Sequence, residues 1–242
     1  MLVERGYFAS RDEALRAVIA HEVRVDDVYA TSAAMRVQPN ADIFVKGARS
    51  FVSRGGFKLQ GALDAFDQHV EGLRCIDVGS STGGFSDCLL QAGAGEVTCV
   101  DVNYGELAWK LRRDPRVRVF ERTNIKLAQP VELGAPFDVI VCDVSFIGLA
   151  SLAGIFAALS HEGTVFMGLV KPQFESAYGE TDHGIVRDEA VRQRVVAEVR
   201  AALEEHGFAV TGVVESPITG AKGNVEYLVR AVFGVSANAD EC

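Results

Sequence analysis

Two lysines and two acids occupy positions where charge can do chemistry. Asp143 follows the apolar run Val139-Ile140-Val141-Cys142, Lys171 follows Gly168-Leu169-Val170, and Lys58 and Glu226 stand in Gly-Gly-Phe-Lys-Leu and Asn-Val-Glu-Tyr-Leu. Charges at the carboxyl ends of buried strands face the ligand crevice of an open α/β sheet, which makes Asp143 and Lys171 candidate site residues. Glu226, flanked by Val225 and Tyr227, is costly to bury alone and requires a cationic partner. Lys58 falls in the first turn of a predicted helix, where a cation opposes the helix dipole by roughly 0.3–1 kcal/mol, so it is either solvated or used. Singly, each of the four reads as a surface charge or an ion-pair partner.

The loop that gives them a common purpose is Cys75-Ile76-Asp77-Val78-Gly79-Ser80-Ser81-Thr82-Gly83-Gly84, followed by Phe85-Ser86-Asp87-Cys88-Leu89-Leu90. A short apolar strand runs into a glycine-rich turn and then a helix, as in nucleotide-type cofactor loops. Gly79, Gly83 and Gly84 permit positive φ and close backbone approach, and the free amides of the helix face whatever lies over the turn. A dehydrogenase requires Gly-x-Gly-x-x-Gly, whereas here position 81 is serine and the spacing is Gly79-x-x-x-Gly83-Gly84. With Asp77 just ahead of the first glycine, the pattern favours S-adenosylmethionine (SAM) over a nicotinamide cofactor, and Ser80, Ser81, Thr82 and Phe85 complete the loop. Asp101, with Val102 beside it, ends the next strand about twenty residues on, placed to accept from ribose hydroxyls.

The elements that must hold these residues alternate strand and helix. Strands are predicted over 73–78, 96–101, 117–120, 137–143, 164–170, 208–214 and 225–233, with a helix opening near Lys58 and a long amphipathic helix over 188–206 that Gly207 stops. Runs such as Val139 to Cys142 suit strands buried on both faces. The expected fold is α/β: a Rossmann-like, seven-stranded, mostly parallel sheet over residues 54–242, built outward from the strand before the glycine turn. The end of the chain, 234–242, reads as frayed.

Composition narrows the class. A chain of 242 residues with 48% hydrophobic content holds a packed core. Cys75, Cys88, Cys99, Cys142 and Cys242 form no Cys-x-x-Cys pair, which implies a reducing compartment with neither disulfides nor a metal site, and the five histidines lack ligand spacing. No signal-like segment is evident, and the longest apolar run, Ile147 to Leu159, is too short to span a bilayer, so the expectation is a cytoplasmic protein with no membrane partner. The net charge of −9 argues against a nucleic-acid partner, yet Arg36, Lys46, Arg49, Arg54 and Lys58 lie in one stretch with a single acid, Asp42.

Residues 1–45 form a separate small module, joined by a linker at 46–53. Ser10-Arg11-Asp12-Glu13 is a capping box that opens a helix at Arg11, with Ala14, Leu15, Val18 and Ile19 as its apolar stripe. Val23, Val25, Val28, Val37, Ile43 and Val45 suggest short strands in a half-buried sheet. The succession Leu2-Val3-Glu4-Arg5-Gly6, Ser10-Arg11, Ala14, Ile19, Val23-Arg24-Val25 and Asp42-Ile43-Phe44-Val45 resembles the alpha-L RNA-binding module of ribosomal proteins and pseudouridine synthases. That resemblance implies RNA-backbone contacts for Arg5, Arg11 and Arg16; Arg49, Phe51 and Arg54 are expected to extend them through the linker. Such modules usually begin with an Arg-Leu-Asp segment, which here would precede Met1.

Lys58, Asp143, Lys171 and Glu226 together match the Lys-Asp-Lys-Glu tetrad of ribose 2'-O-methyltransferases of the FtsJ type. Ser53-Arg54-Gly55-Gly56-x-Lys58-Leu59, Asp77 to Phe85, Lys171-Pro172-Gln173-Phe174-Glu175, and Ser216-Pro217-Ile218 through Gly223-Asn224-x-Glu226 resemble the TlyA family, which joins an alpha-L module to an FtsJ-like domain. The family's haemolysin label finds no signal or span here. The resemblance implies SAM-dependent, metal-independent methylation of cytidine ribose hydroxyls in ribosomal RNA, with Asn124 flanking the adenine. Members short at both ends act on large-subunit RNA, which is the expectation for this chain. Lys171 beside Lys58 would be poised to lose a proton and act as general base, with Asp143 and Glu226 orienting the lysines and Lys58 able to stabilise the oxyanion; either lysine could take the proton. Two other readings stand against this one: an RNA-binding assembly factor that keeps the fold without catalysis, and an NAD-linked oxidoreductase.

Overall fold

A computed structural model describes residues 1–3, 7, 8, 10–26, 28–38, 41, 43–46, 51–177 and 179–235. The chain opens with helix α1 (Arg11–Ile19), whose N-cap Ser10 accepts from the Glu13 amide at 3.3 Å. Strands β1 (Val23–Val25), β2 (Val28–Tyr29) and β3 (Ile43–Val45) follow, forming an antiparallel sheet in the order β2-β1-β3. Its core is Ala17, Val18, Val23, Val25, Ala30, Ala41, Ile43 and Val45. The apolar stripe of α1 differs from the expected one: Ala14, Ala17 and Val18 are buried, while Leu15 and Ile19 are 43% and 68% exposed. The small sheet covers only one narrow side of the helix. Val37 lies outside any strand and packs on this core from a loop.

The second sheet is seven-stranded. Its elements are α2 (Gly55–Ala65), β4 (Arg74–Val78), α3 (Gly84–Gln91), β5 (Glu96–Val100), α4 (Trp109–Arg112), β6 (Val117–Phe120), α5 (Pro130–Leu133), β7 (Phe137–Cys142), α6 (Ala153–Ala158), β8 (Ser160–Val170), α7 (Pro172–Glu175), α8 (Glu189–Glu205), β9 (Phe208–Glu215) and β10 (Tyr227–Phe233). A 3-10 turn, Leu149–Leu152, leads into α6. Strand order is β6-β5-β4-β7-β8-β10-β9, with β4 to β8 parallel and β10 antiparallel to both its neighbours. Because side chains alternate across a strand, the sheet builds two cores. Cys75, Val139 and Val141 face α2 and α3, while Ile76, Ile140 and Cys142 face α6 and α8.

Two strand boundaries depart from expectation by more than one residue. β8 begins at Ser160, because His161, Glu162 and Gly163 extend the strand although all three are exposed. Glu226 stands just before β10 rather than inside it, although its carbonyl still accepts from Ser216 at 2.8 Å. The described cysteines, Cys75, Cys88, Cys99 and Cys142, are buried and form no disulfide with one another, whereas Cys242 and the chain from 236 lie outside the described residues. Among the described residues no helix is long and apolar enough to cross a membrane.

Candidate active site

The chain reverses its direction of growth across the sheet between β4 and β7, so a crevice opens at the carboxyl ends of these two adjacent strands. The glycine loop lies there. Gly83 caps α3 in the left-handed region at φ +94, and a Cβ on it would stand 2.1 Å from Leu111 Cδ1. Gly84, expected to supply positive φ, is instead the first residue of α3. Its lack of a side chain serves close packing, since a Cβ would meet Ser53 Oγ at 2.4 Å and the Gly56 amide nitrogen at 2.9 Å, where α2 crosses α3. Ser81, at φ +46, donates its amide to Asp101 Oδ2 at 2.7 Å, which ties the turn to the end of β5.

Asp77 is fully buried at the base of the loop. Ser86 donates to its Oδ2 from both hydroxyl and amide, at 2.6 and 2.9 Å, while Oδ1 has no partner among the described residues. Burial pushes its carboxyl up to about 7, against the two Ser86 bonds, with the nearby Asp143 charge adding to the rise.

The four charges converge on one cleft of about 440 Å³, lined also by Asp77, Gly79, Ser80, Ser81, Thr82, Gly84 and Phe85. They are arranged as two ion pairs, so that each lysine is met by its own carboxylate. Lys58 Nζ lies 2.6 Å from Glu226 Oε2, with side chains 7% and 2% exposed. This supplies the cation that Glu226 requires, and the carboxylate offsets the unfavourable position of Lys58 in the first turn of α2. Gly220 leaves the space the carboxylate fills, since a Cβ there would stand 2.0 Å from Oε1. Nearer the mouth, Lys171 Nζ lies 2.5 Å from Asp143 Oδ1, 3.1 Å from Ser145 Oγ and 5.9 Å from the centre of the Phe174 ring.

A second recess of about 340 Å³ adjoins the first and shares Gly79, Ser81, Asp143, Ser145 and Phe146 with it. Asp101, Val102 and Asn124 line it, with Ile125 and Ile147 as further apolar walls. Asn124 Oδ1 accepts from the Lys126 amide at 3.0 Å. The pair of recesses suits a ligand with a flat apolar base, a hydroxylated ring and a cationic tail: Asp101 ends the apolar slot, and the unpartnered Asp77 oxygen at the other end needs a donor such as an ammonium.

The expected RNA contacts scatter. Arg11 and Arg16 are exposed on α1, Arg54 is the N-cap of α2 at the cleft, and Arg5 and Arg49 lie outside the described residues. Phe51 is half-buried, its ring 5.0 Å from that of Phe57 and filling the space above Gly56. The next residue, Val52, donates to Asp87 Oδ2 at 2.8 Å, so this end of the linker is fastened to α3. Cys142 points into the core away from the cleft, and burial holds its thiol well above the ordinary range.

Sequence reasoning missed Ser145, Phe146, Gln173 and Phe174 as cleft residues. Gln173 donates to Glu226 Oε1 at 3.1 Å, and its place in the word Lys-Pro-Gln-Phe-Glu was the available signal. Phe146 is 88% exposed and stands at φ +68, for which the sequence carries no signal.

Residues 51–233 match the model of a family described as FtsJ-like methyltransferase. The chain is 42% identical over 231 residues to the 16S/23S rRNA (cytidine-2'-O)-methyltransferase TlyA of Mycobacterium tuberculosis, covering 94% of this chain and 86% of that protein. It is 31% identical over 179 residues to the 23S rRNA (cytidine-2'-O)-methyltransferase TlyA of Campylobacter jejuni, covering 73% and 69%. Among solved structures, a Streptococcus thermophilus protein with a provisional hemolysin name superposes with a TM-score of 0.80 at 37% identity, over 99% of this chain and 88% of that one.

Proposed function

Since the chain belongs to the FtsJ-like methyltransferase family and to its TlyA members, we propose that it transfers a methyl group from SAM to cytidine ribose 2'-hydroxyls of ribosomal RNA in the cytoplasm. The observation that carries this reading is the convergence of the Lys58–Glu226 and Asp143–Lys171 pairs in one cleft beside the glycine loop. Large-subunit RNA is the favoured substrate, because it is named for both TlyA relatives, whereas small-subunit RNA is named for one.

SAM, when bound, supplies an electrophilic sulfonium methyl. The residues left to hold it are Asp77 and the 79–85 loop at one end, and Asp101, Val102 and Asn124 at the other. A ribose hydroxyl is a weak nucleophile, so the cleft must align it and relieve it of a proton. Lys171 is the better-placed base. Its ammonium already donates to a neutral hydroxyl, that of Ser145, for which an entering ribose hydroxyl would substitute, and once its own proton has passed to solvent it accepts that of the nucleophile. Asp143 orients Lys171, and Lys58, locked by Glu226, supplies fixed positive charge toward the developing oxyanion. The arginines of α1 and Arg54 supply backbone contacts for RNA, and the division into a module at 1–45 and a catalytic domain from 54 follows from this use.

Tritiated methyl transfer from SAM to ribosomal RNA and to intact subunits tests the reading, with wild type beside Lys171→Ala. Label on ribose after nuclease digestion, lost in the variant, is the expected result, and the labelled subunit names the substrate. A wild-type protein that binds SAM yet labels no RNA in either form overturns catalysis in favour of an RNA-binding role.

A further inference from the structure

Two loops carry the Asp143–Lys171 pair: the segment after β7, running from Asp143 to the 3-10 turn at Leu149, and the segment after β8, running from Lys171 through α7 to Glu175. They meet at several points. Lys171 reaches both Asp143 and Ser145, and the rings of Phe146 and Phe174 lie 5.2 Å apart. Furthest from the cleft, Glu175 Oε1 accepts the amide hydrogen of Leu149, and its carboxylate also accepts from the Ala150 amide. Gly148 makes room for it, because a Cβ there would stand 2.6 Å from Glu175 Oε2.

These contacts differ in what happens to them during turnover. The ion pair of Lys171 with Asp143 and its bond to Ser145 must rearrange when a substrate hydroxyl enters the shell of that amine. An edge contact between rings fixes distance loosely. The bond from Glu175 to the start of the 3-10 turn involves no group that changes partner, and it closes the loop only six residues from Asp143 and four from Lys171. Among the described residues no lysine or arginine pairs with Glu175. Main-chain amides hold it, while burial opposes its ionisation and the charge of Glu198 on α8 adds to that.

We propose that Glu175 is a positioning residue: it latches the loop after β7 to the loop after β8, and so holds Asp143 and Lys171 in register while Lys171 exchanges partners. The proposal rests on the reading of Lys171 as the base. Glu175 touches neither substrate nor the reacting atoms. Glutamine keeps one acceptor oxygen at the same reach, whereas alanine leaves the Leu149 and Ala150 amides without their partner.

The experiment compares wild type, Glu175→Gln and Glu175→Ala by two readouts. The first is the rate at which an amine-directed acylating reagent labels Lys171, measured by peptide mass spectrometry, with Lys58 as the internal control because a different partner, Glu226, holds it. The second is kcat and KM for methyl transfer to RNA. In Glu175→Ala, Lys171 labelling should rise while Lys58 stays protected, and kcat should fall by about 10- to 100-fold with a smaller change in KM. Glu175→Gln should restore most of both. Unchanged Lys171 labelling in Glu175→Ala overturns the proposal, as does equal unmasking of Lys58, which reports a loosened fold. The labelling needs no RNA, so a wild-type protein inactive on RNA would defeat the methyltransferase reading and leave the latch decided by the first readout.

Discussion

Glu226→Ala removes one member of a nearly dry ion pair and leaves the other behind. Lys58 is 7% exposed at its side chain, and its carboxylate partner 2.6 Å away is 2% exposed, so the ammonium stranded by the substitution loses its counter-charge where only the cleft offers it solvent. Breaking a buried pair from one side costs about 3–5 kcal/mol. For a chain of this length each kcal/mol lowers Tm by about 2–4 °C, which gives a fall of about 6–20 °C. Replacing both members, as in Lys58→Met with Glu226→Leu, removes the stranded charge and should recover most of that loss. The recovery stops short by about 1–3 kcal/mol, because the Gln173 amide loses its acceptor. Urea or thermal denaturation of Lys58→Met, Glu226→Leu and the double variant gives the coupling directly. All three should transfer no methyl group, so the double variant separates folding from catalysis. A Glu226→Ala protein that melts with wild type, or a double variant less stable than the sum of the singles, refutes the reasoning.

Asp77 makes stability depend on pH. Folded, its carboxyl titrates at about 7 against an ordinary 3.8, so between these values the native state holds a proton that the unfolded chain has released. Its contribution is therefore full below 3.8 and is lost as pH rises toward about 7, and Asp77→Asn should flatten the curve of Tm against pH across that window; an unchanged slope would assign the dependence elsewhere. Gly83→Ala forces a left-handed residue to carry a side chain against Leu111 and should cost at least about 1–3 kcal/mol in chemical denaturation, with weaker SAM binding in calorimetry. Phe51→Ala opens the packing over Gly56 and frees the linker end, so RNA-dependent turnover should fall, by up to about 100-fold, while SAM affinity changes less. Equal losses in both would reject a coupling role for the linker.

The sequence announced whatever depends on local pattern. Val117 to Phe120 begins and ends as expected because its ends are marked by polar turns, and the long helix over 189–205 lies within one residue of its expected bounds because Asp188 caps it and Gly207 ends it. The need of Glu226 for a cation could be read from two apolar neighbours, although only the chain's return along β10 shows that the cation is Lys58. Other features depend on what packs against what. Ala17 replaces Leu15 in the buried face of α1 because the three-stranded sheet is too narrow to cover a wider stripe. Ile147 and Phe146 line the cofactor-sized recess from an irregular loop, where neither period nor propensity applies. Gly84 was legible as a glycine that close backbone approach requires, although the backbone that approaches belongs to another helix and no positive φ is used.

The pairing of Lys58 with Glu226 joins residues 168 apart, and thereby sets a time as well as a distance. During synthesis the lysine emerges before any strand of the large sheet, and its counter-charge arrives with the last one. At about 5–20 residues per second that interval is roughly 8–34 seconds. Throughout it the amine lacks this carboxylate, and α2 seats on α3 through Leu59, Ala62 and Leu63 alone, with its charge unanswered. The final strand is also the one that must slide between β8 and β9, a non-local pairing of the kind that folds slowly. Nascent chains should accordingly stay open at the cleft and inert toward the ribosome that is making them, with competence arriving all at once when the carboxyl-terminal strand docks.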